Sequence, residues 1–283
     1  MLSDAANDLN ALLSVEFHKK LLAASLKSLE ETSNPLFFNN YCAGFRELVR
    51  HVLSELAPDA EIKACAWYQP DETSKSGITR AHAIRYVIQG GLPDSYLLDV
   101  LNINVSDEKK ALIAAVNQLN KYTHVNESTF DVDVTQAIEK AQLAVHALSN
   151  VLELASQCRG QLIAALEMNI HNEVVALAIG ETIDSIDELA THHCVEEIDV
   201  EEVSVINVGS EYIHLQASGT IGVELQWGSD GDLRRGDGAI GNDSFPFTCE
   251  LQSHVGLPEE IEIIENTLRV DTSSWWEGYY DEI

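Results

Sequence analysis

The spacing of apolar residues changes once along this chain, and that change limits the fold more than any other feature. Up to about His192 the apolar residues return every three or four positions, as on one side of an α-helix. From Val195 onward they return every second position, as on one face of a β-strand. In the first part, Leu9, Leu12, Leu13, Phe17, Leu21, Leu22, Leu26 and Leu29 predict a helix over residues 3–31. Tyr41, Phe45, Leu48, Val52 and Leu56 form the inner stripe of a second helix, with Asn34 as its N-cap, Pro35 as its first residue and a stop before Pro58. Residues 62–68 read as a short strand or extended loop, and residues 79–89 as a helix closed by Gly90-Gly91. Short helices follow from Pro93 and from Ser106. Asp133 with Gln136 resembles a capping box that opens a long helical stretch carrying Ile138, Ala141, Val145, Leu148, Leu152 and Ala155, with breaks near Gly160 and Gly180.

In the second part, Ile198, Val200, Val203 and Val205 predict a strand with a bulge between Val200 and Val203. Ile213-Leu215-Ala217 and Ile221-Val223-Leu225-Trp227 alternate on either side of a turn at Ser218-Gly219. Phe245 to Leu251 and one or two stretches between Ile261 and Val270 complete a meander of about five strands. Helices first and antiparallel strands after them predict an α+β fold: an N-terminal helical bundle followed by a C-terminal antiparallel β-sheet domain. The aromatic end, Trp275-Trp276-Glu277-Gly278-Tyr279-Tyr280, either packs on the sheet or docks elsewhere.

Charge separates the same two parts. The formal net charge is -29, and residues 1–170 hold 14 Lys+Arg against 21 Asp+Glu, whereas residues 171–283 hold 3 against 25. So acidic a C-terminal part repels nucleic acid, and any RNA or DNA chemistry belongs to the N-terminal part. The acidic part suits a basic protein partner, cations, or solubility alone. The five cysteines are scattered, with no C-x-x-C pair, which predicts reduced thiols and a cytoplasmic protein. Neither a secretory leader nor an apolar run of the roughly 20 residues that span a bilayer is evident, so no membrane partner is expected.

Arg46 and His51 fit Arg-x-x-x-x-His on the second helix. Such a pair can cleave RNA without a metal: His moves the proton between the 2′-hydroxyl and the leaving oxygen, and Arg neutralises the phosphate. The two residues stand about 140° apart around an ideal helix, so convergence needs a distorted helix, a second chain or approach from two sides. Solvated charges beside a core stripe are the competing explanation. Arg50, Lys121, Tyr122 and His124 are the candidate substrate-binding residues, Lys121 and His124 lying three apart at a helix end. There, too, ordinary helix C-terminal chemistry competes, because the dipole favours Lys and His. His192-His193-Cys194 lacks a second ligand pair at a familiar spacing, and residues 229–238 fail the calcium-loop pattern and read as a glycine-rich hairpin loop. No metal site and no cofactor are expected.

Several segments resemble the predicted pPIWI-associating nucleases of bacterial mobile-element conflict loci. They are Asn39-Asn40 with Phe45-Arg46-Glu47-Leu48-Val49-Arg50-His51, Lys121-Tyr122-Thr123-His124, Ser185 to His193, Glu224 to Ser229, and Ser244-Phe245-Pro246-Phe247. The N-terminal part is also similar to HEPN domains, helical ribonucleases of toxin and abortive-infection systems that work as dimers with Arg-x-x-x-x-His at the interface. The resemblance implies a HEPN-like helical domain over residues 1–192, an acidic antiparallel β-domain over 193–283, and a homodimer. It also implies an antiviral-defence endoribonuclease with His51 and Arg46 as catalytic residues. The alternative is a non-catalytic accessory or sensor protein whose acidic surface docks onto a basic, nucleic-acid-binding partner.

Overall fold

A computed structural model describes residues 2–180 and 183–277. The helices come first: α1 Leu2–Leu12, α2 Glu16–Glu30, α3 Phe37–Leu56, α4 Asp59–Ala64, α5 Arg80–Gln89, α6 Asp94–Asp99, α7 Ser106–Asn120, α8 Val134–Gly180 and α9 Asp184–Asp187. The sheet follows, in β1 His192–Val208, β2 Tyr212–Trp227, β3 Ala239–His254, β4 Ile261–Ile263 and β5 Arg269–Val270, with α10 Asp230–Arg235 between β2 and β3 and α11 Ser273–Glu277 at the end. The protein is therefore α+β, helical and then antiparallel β. It divides into two compact units, Met1–Gln161 and Leu162–Ile283, so the division falls within α8, upstream of the change from helix to strand.

The first unit is built on α3. Tyr41, Phe45, Leu48 and Val52 of the predicted stripe are fully buried, and Phe38, Asn39, Cys42, Val49 and Leu53 are buried as well, so this helix is covered on more than one side. Leu56, assigned to the same stripe, is exposed, because it ends the helix beyond the reach of the core. Gly44 lets α2 come close: a Cβ there would run into the Ser25 side chain. On another side, the Tyr41 hydroxyl donates to the Ala141 carbonyl of α8 at 3.2 Å.

Local signals failed where tertiary packing set the ends. The helix expected over residues 3–31 is two helices, broken at Leu13-Ser14-Val15, where Val15 takes an extended conformation before α2. Neither Gly nor Pro marks the break. Helix α3 starts at Phe37, not Pro35, and the Asn34 side chain accepts from Leu36 N–H at 3.0 Å to hold the preceding turn. Of the stretch 62–68, expected as a short strand or extended loop, residues 62–64 belong to α4, which has Asp59 and Glu61 in its first turn, where the dipole favours acids, and residues 65–68 are turn and loop. The end of α5 is as expected, since Gly90 adopts φ 56°.

Helix α8 opens as predicted, with Asp133 Oδ1 accepting from Gln136 N–H at 3.0 Å. It then passes through Gly160 without a break; one glycine costs only about 1 kcal/mol in a helix and cannot stop one of this length. By length and composition α8 could also cross a bilayer. Its buried residues nonetheless follow a single stripe through Ala141, Val145, Leu148, Ala155, Leu162, Leu166, Ile170 and Val174, the pattern of a helix covered by protein on one side.

In the second unit the strands run in the order β1-β2-β3-β4, with β5 also paired to β3. One face of β2 and β3 is buried by Ile213, Leu215, Ala217, Ile221, Val223, Leu225, Phe245, Phe247, Cys249 and Leu251. The bulge near Val200 is present, with two further register shifts at Val195/Glu197 and Val205/Asn207. The turn at Ser218-Gly219 is not. Strand β2 runs straight through it, and Gly219 is needed because the bulged β1 backbone crosses the place of its Cβ. The loop expected at 229–238 contains α10, capped at Ser229 and ended by Gly236 at φ 82°. Trp275 stacks on Trp227 with centroids 5.8 Å apart, while Trp276 is exposed. Gly278, Tyr279 and Tyr280 of the aromatic end lie outside the described residues.

Candidate functional site

In α3 the core stripe sets where every charge goes. With Tyr41, Phe45, Leu48 and Val52 turned inward, Arg46, Glu47 and Arg50 are left at the margin of the buried face. Glu47 joins the two arginines: Arg50 Nε donates to its Oε2 at 2.8 Å, and Arg46 Nη2 lies 3.5 Å from its Oε1. The Arg50 hydrogen bond is the main reason the Glu47 carboxyl is held below the usual carboxylate range. Such a pair is fully formed above the ordinary glutamate range and is lost as pH falls through the lowered value.

These residues border a cavity of about 620 Å³ inside the first unit, within the size range of small-ligand sites. Its walls come from α3, from the start of α5 (Thr79, Arg80 and Ala83), and from the end of α7 and the loop after it (Asn120, Thr123 and His124). The loop is tied to the core. Buried Asn39 on α3 donates from Nδ2 to the Tyr122 carbonyl at 2.7 Å and the Thr129 carbonyl at 3.1 Å. The Thr129 hydroxyl in turn donates to the His124 carbonyl at 3.0 Å. Asn39 thus holds both ends of the segment that presents His124.

The predicted site residues are placed as follows. Arg46, Arg50 and His124 meet around the cavity. His51 lies outside its wall: the ring packs edge-on against Phe17 of α2 with centroids 5.1 Å apart, and Nε2 lies 2.9 Å from Arg50 Nη2. Within one chain, His51 reaches the cavity only through Arg50. Lys121 borders a different groove, with Leu143 and Ala147 of α8. The Tyr122 ring packs edge-on against Phe38 at 4.8 Å and serves the core. Three-residue spacing put Lys121 and His124 on one face, but α7 ends at Asn120 and the chain turns between them.

Sequence reasoning missed Arg80. It is partly buried on the cavity wall, and among the described residues it has no carboxylate in ion-pair distance. Burial, with the like charge of Arg46 beside it, lowers its tendency to stay protonated. A lone Arg opening a predicted helix carries no local signal of this; only folding brings it to one cavity with Arg46. Cavity carboxylates are Glu47 and Asp59, so three arginines face two acids in a protein of net charge -29. The Asn120 amide oxygen, also on this wall, is buried without a hydrogen-bond partner among the described residues.

Elsewhere, His193 Nδ1 pairs with Asp187 Oδ1 at 2.8 Å, and no group of three His, Cys, Asp or Glu side chains converges as metal ligands would among the described residues. The four buried cysteines have thiols pushed up by desolvation, Cys65 to about 12 and Cys158 and Cys249 to about 11, which leaves them unreactive.

Neutralising the clamp tests the balance of the cavity. Glu47→Gln releases both arginines and should tighten binding of a short single-stranded oligonucleotide several-fold at low salt. Stability should move by no more than about 0.5 kcal/mol, because the pair is solvated. Fluorescence anisotropy reads the first and urea denaturation the second; weaker binding would show that Glu47 orients the arginines instead of occupying them.

Fold and cavity together define an α+β protein with an arginine-lined cavity in its helical unit. Two family models, both described as predicted pPIWI-associating nuclease, match residues 10–148 and 155–276. The chain belongs to the predicted pPIWI-associating nucleases, and this membership supports a nuclease role. Comparison with curated proteins and with solved structures returns no match.

Proposed function

We propose that the protein is a cytoplasmic endoribonuclease of a bacterial defence system that cleaves RNA without a metal, through a HEPN-like helical domain over residues 1–192. The observation that carries this reading is the cavity where Arg46, Arg50 and His124 converge in an otherwise acidic chain. RNA supplies its own nucleophile. An imidazole takes the proton from the 2′-hydroxyl, O2′ bonds to phosphorus, and the P–O5′ bond breaks. The products are a 2′,3′-cyclic phosphate and a 5′-hydroxyl, the leaving oxygen gaining a proton. The arginines neutralise the phosphorane's charge. His124 can act from the cavity wall. A role for His51 beside Arg46 calls for a homodimer in which the second chain brings its imidazole to the first chain's arginines.

The test is cleavage of a mixed RNA and DNA pool in EDTA, with Arg46→Ala, His51→Ala and His124→Ala checked for folding. RNA cleavage should survive EDTA, and the loss of Arg46 or of the working histidine should lower it by roughly 100-fold or more. Dependence on His51 and on protein concentration would favour the dimer, dependence on His124 alone the single chain. Activity abolished by EDTA and retained in all three variants would sink the proposal.

A second reading is favoured by β1, which among the described residues pairs only with β2 and carries exposed Glu196, Glu197, Asp199, Glu201 and Glu202. An edge strand so charged resists self-association and suits a basic partner. The family description suggests a pPIWI protein. In this reading the chain docks and does not cleave, and a wild type inactive on every substrate but bound by that protein would establish it.

A further inference from the structure

We propose that Arg80, together with Arg46 and His124, anchors a backbone phosphate of a single-stranded nucleic acid in the cavity. This rests on reading the cavity as the place where nucleic acid binds, but not on cleavage.

A guanidinium taken partly out of water regains its lost hydration from a carboxylate in most proteins. Arg80 has no such partner among the described residues, and the charged neighbour that acts on it is Arg46, of the same sign. The nearby clamp does not relieve it, because Glu47 is engaged with Arg46 and Arg50. Arg80 is also the first residue of the ten-residue α5, so the positive end of that helix borders the same cavity. Two like-charged guanidiniums bordering one cavity repel each other in the empty protein, and an anion between them relieves both. A phosphate fits this need: it accepts from both guanidinium forks, and the imidazole of His124 adds a third donor. The cavity is wide enough for a nucleotide around that phosphate, at about 620 Å³. A backbone phosphate, not a free phosphate ion, accounts for the extra volume and for Thr123 and Asn120 beside it.

The experiment uses the full chain and a labelled single-stranded 2′-O-methyl RNA, which lacks the nucleophilic hydroxyl and cannot be cleaved by attack of O2′. Binding is read by anisotropy across a salt series for wild type, Arg80→Ala, Arg80→Lys and Arg235→Ala, the last on exposed α10 in the second unit. Arg80→Ala should weaken binding on the order of 10-fold and lower the salt slope by about one contact. Arg80→Lys should restore the slope but only part of the affinity, and Arg235→Ala should bind as wild type. A packing role for Arg80 would lower the denaturation midpoint of Arg80→Ala, whereas an anchor under strain leaves it unchanged or raised. Inorganic phosphate should compete only weakly; a free phosphate that competes at equal affinity to the RNA would replace the nucleic acid with an ion and overturn the proposal. So would wild-type affinity in Arg80→Ala, an equal loss in Arg235→Ala, or no binding by wild type. Unmodified RNA is run in parallel. Affinity lost in Arg80→Ala with no cleavage by wild type keeps the anchor and removes the ribonuclease; full cleavage by Arg80→Ala does the reverse.

Discussion

Gly219→Ala should destabilise the second unit by roughly 3 kcal/mol or more, the scale of an unrelieved backbone clash. The added Cβ would meet the Asp199 carbonyl oxygen, with the carbonyl carbon at 2.9 Å and the Glu201 nitrogen at 3.0 Å. Both are main-chain atoms of the β1 bulge, held by pairing to β2 on either side, and cannot swing away as a side chain would. Gly219 is not among the residues with positive φ, so the cost is steric and not conformational. Three residues on, Gly222 is the internal control. A Cβ there meets Glu197 Cβ at 3.4 Å, an ordinary contact, so Gly222→Ala should stay within about 0.5 kcal/mol of wild type. Chemical denaturation followed by tryptophan fluorescence compares them. Equal midpoints for the two variants would mean that the bulge does not hold β1 over Gly219 in solution.

Asn39→Ala should cost roughly 2–4 kcal/mol and loosen the wall of the cavity at the same time. Two carbonyls, of Tyr122 and Thr129, lose their donor in a buried setting, and each unsatisfied group costs about 1–3 kcal/mol. Because Thr129 also holds the His124 carbonyl, the damage passes to a residue that Asn39 does not touch. Hydrogen exchange should rise across residues 121–130 before it rises in α3, and oligonucleotide affinity should fall even where the protein remains folded. Stability within about 0.5 kcal/mol of wild type, with protection of that segment unchanged, would show that the loop is held by its own turns.

The two substitutions act on opposite kinds of information. Gly219 looked like a turn because glycine after serine between two alternating runs is a turn signal. The signal was right that no side chain fits there and wrong about the reason, which lies on another strand. Asn39 had no local signal at all; its partners are 83 and 90 residues away. Part of the site was legible. Arg46 and Arg50 stand out beside the apolar stripe of α3 and His124 at a helix end, and the structure brings the three to one cavity. Lys121 was grouped with His124 by helical spacing that ends one residue too early. Arg80 was passed over because its exceptional feature is the lack of a counter-charge, a property of its surroundings.

The sequence by itself determined the order of helices and strands and the period of each. It also determined the burial of Tyr41, Phe45, Leu48 and Val52, the bulge near Val200, and the separation of charge between the two parts. These follow from interactions between near neighbours, whose spacing the chain carries in its own order. Tertiary structure decided where α1 gives way to α2, that α8 continues through Gly160, and that β2 crosses Gly219. It also decided that Arg80 shares a cavity with Arg46 while His51 turns toward Phe17. These depend on desolvation and close contact between segments far apart in the chain, energies that exist only once the segments have met.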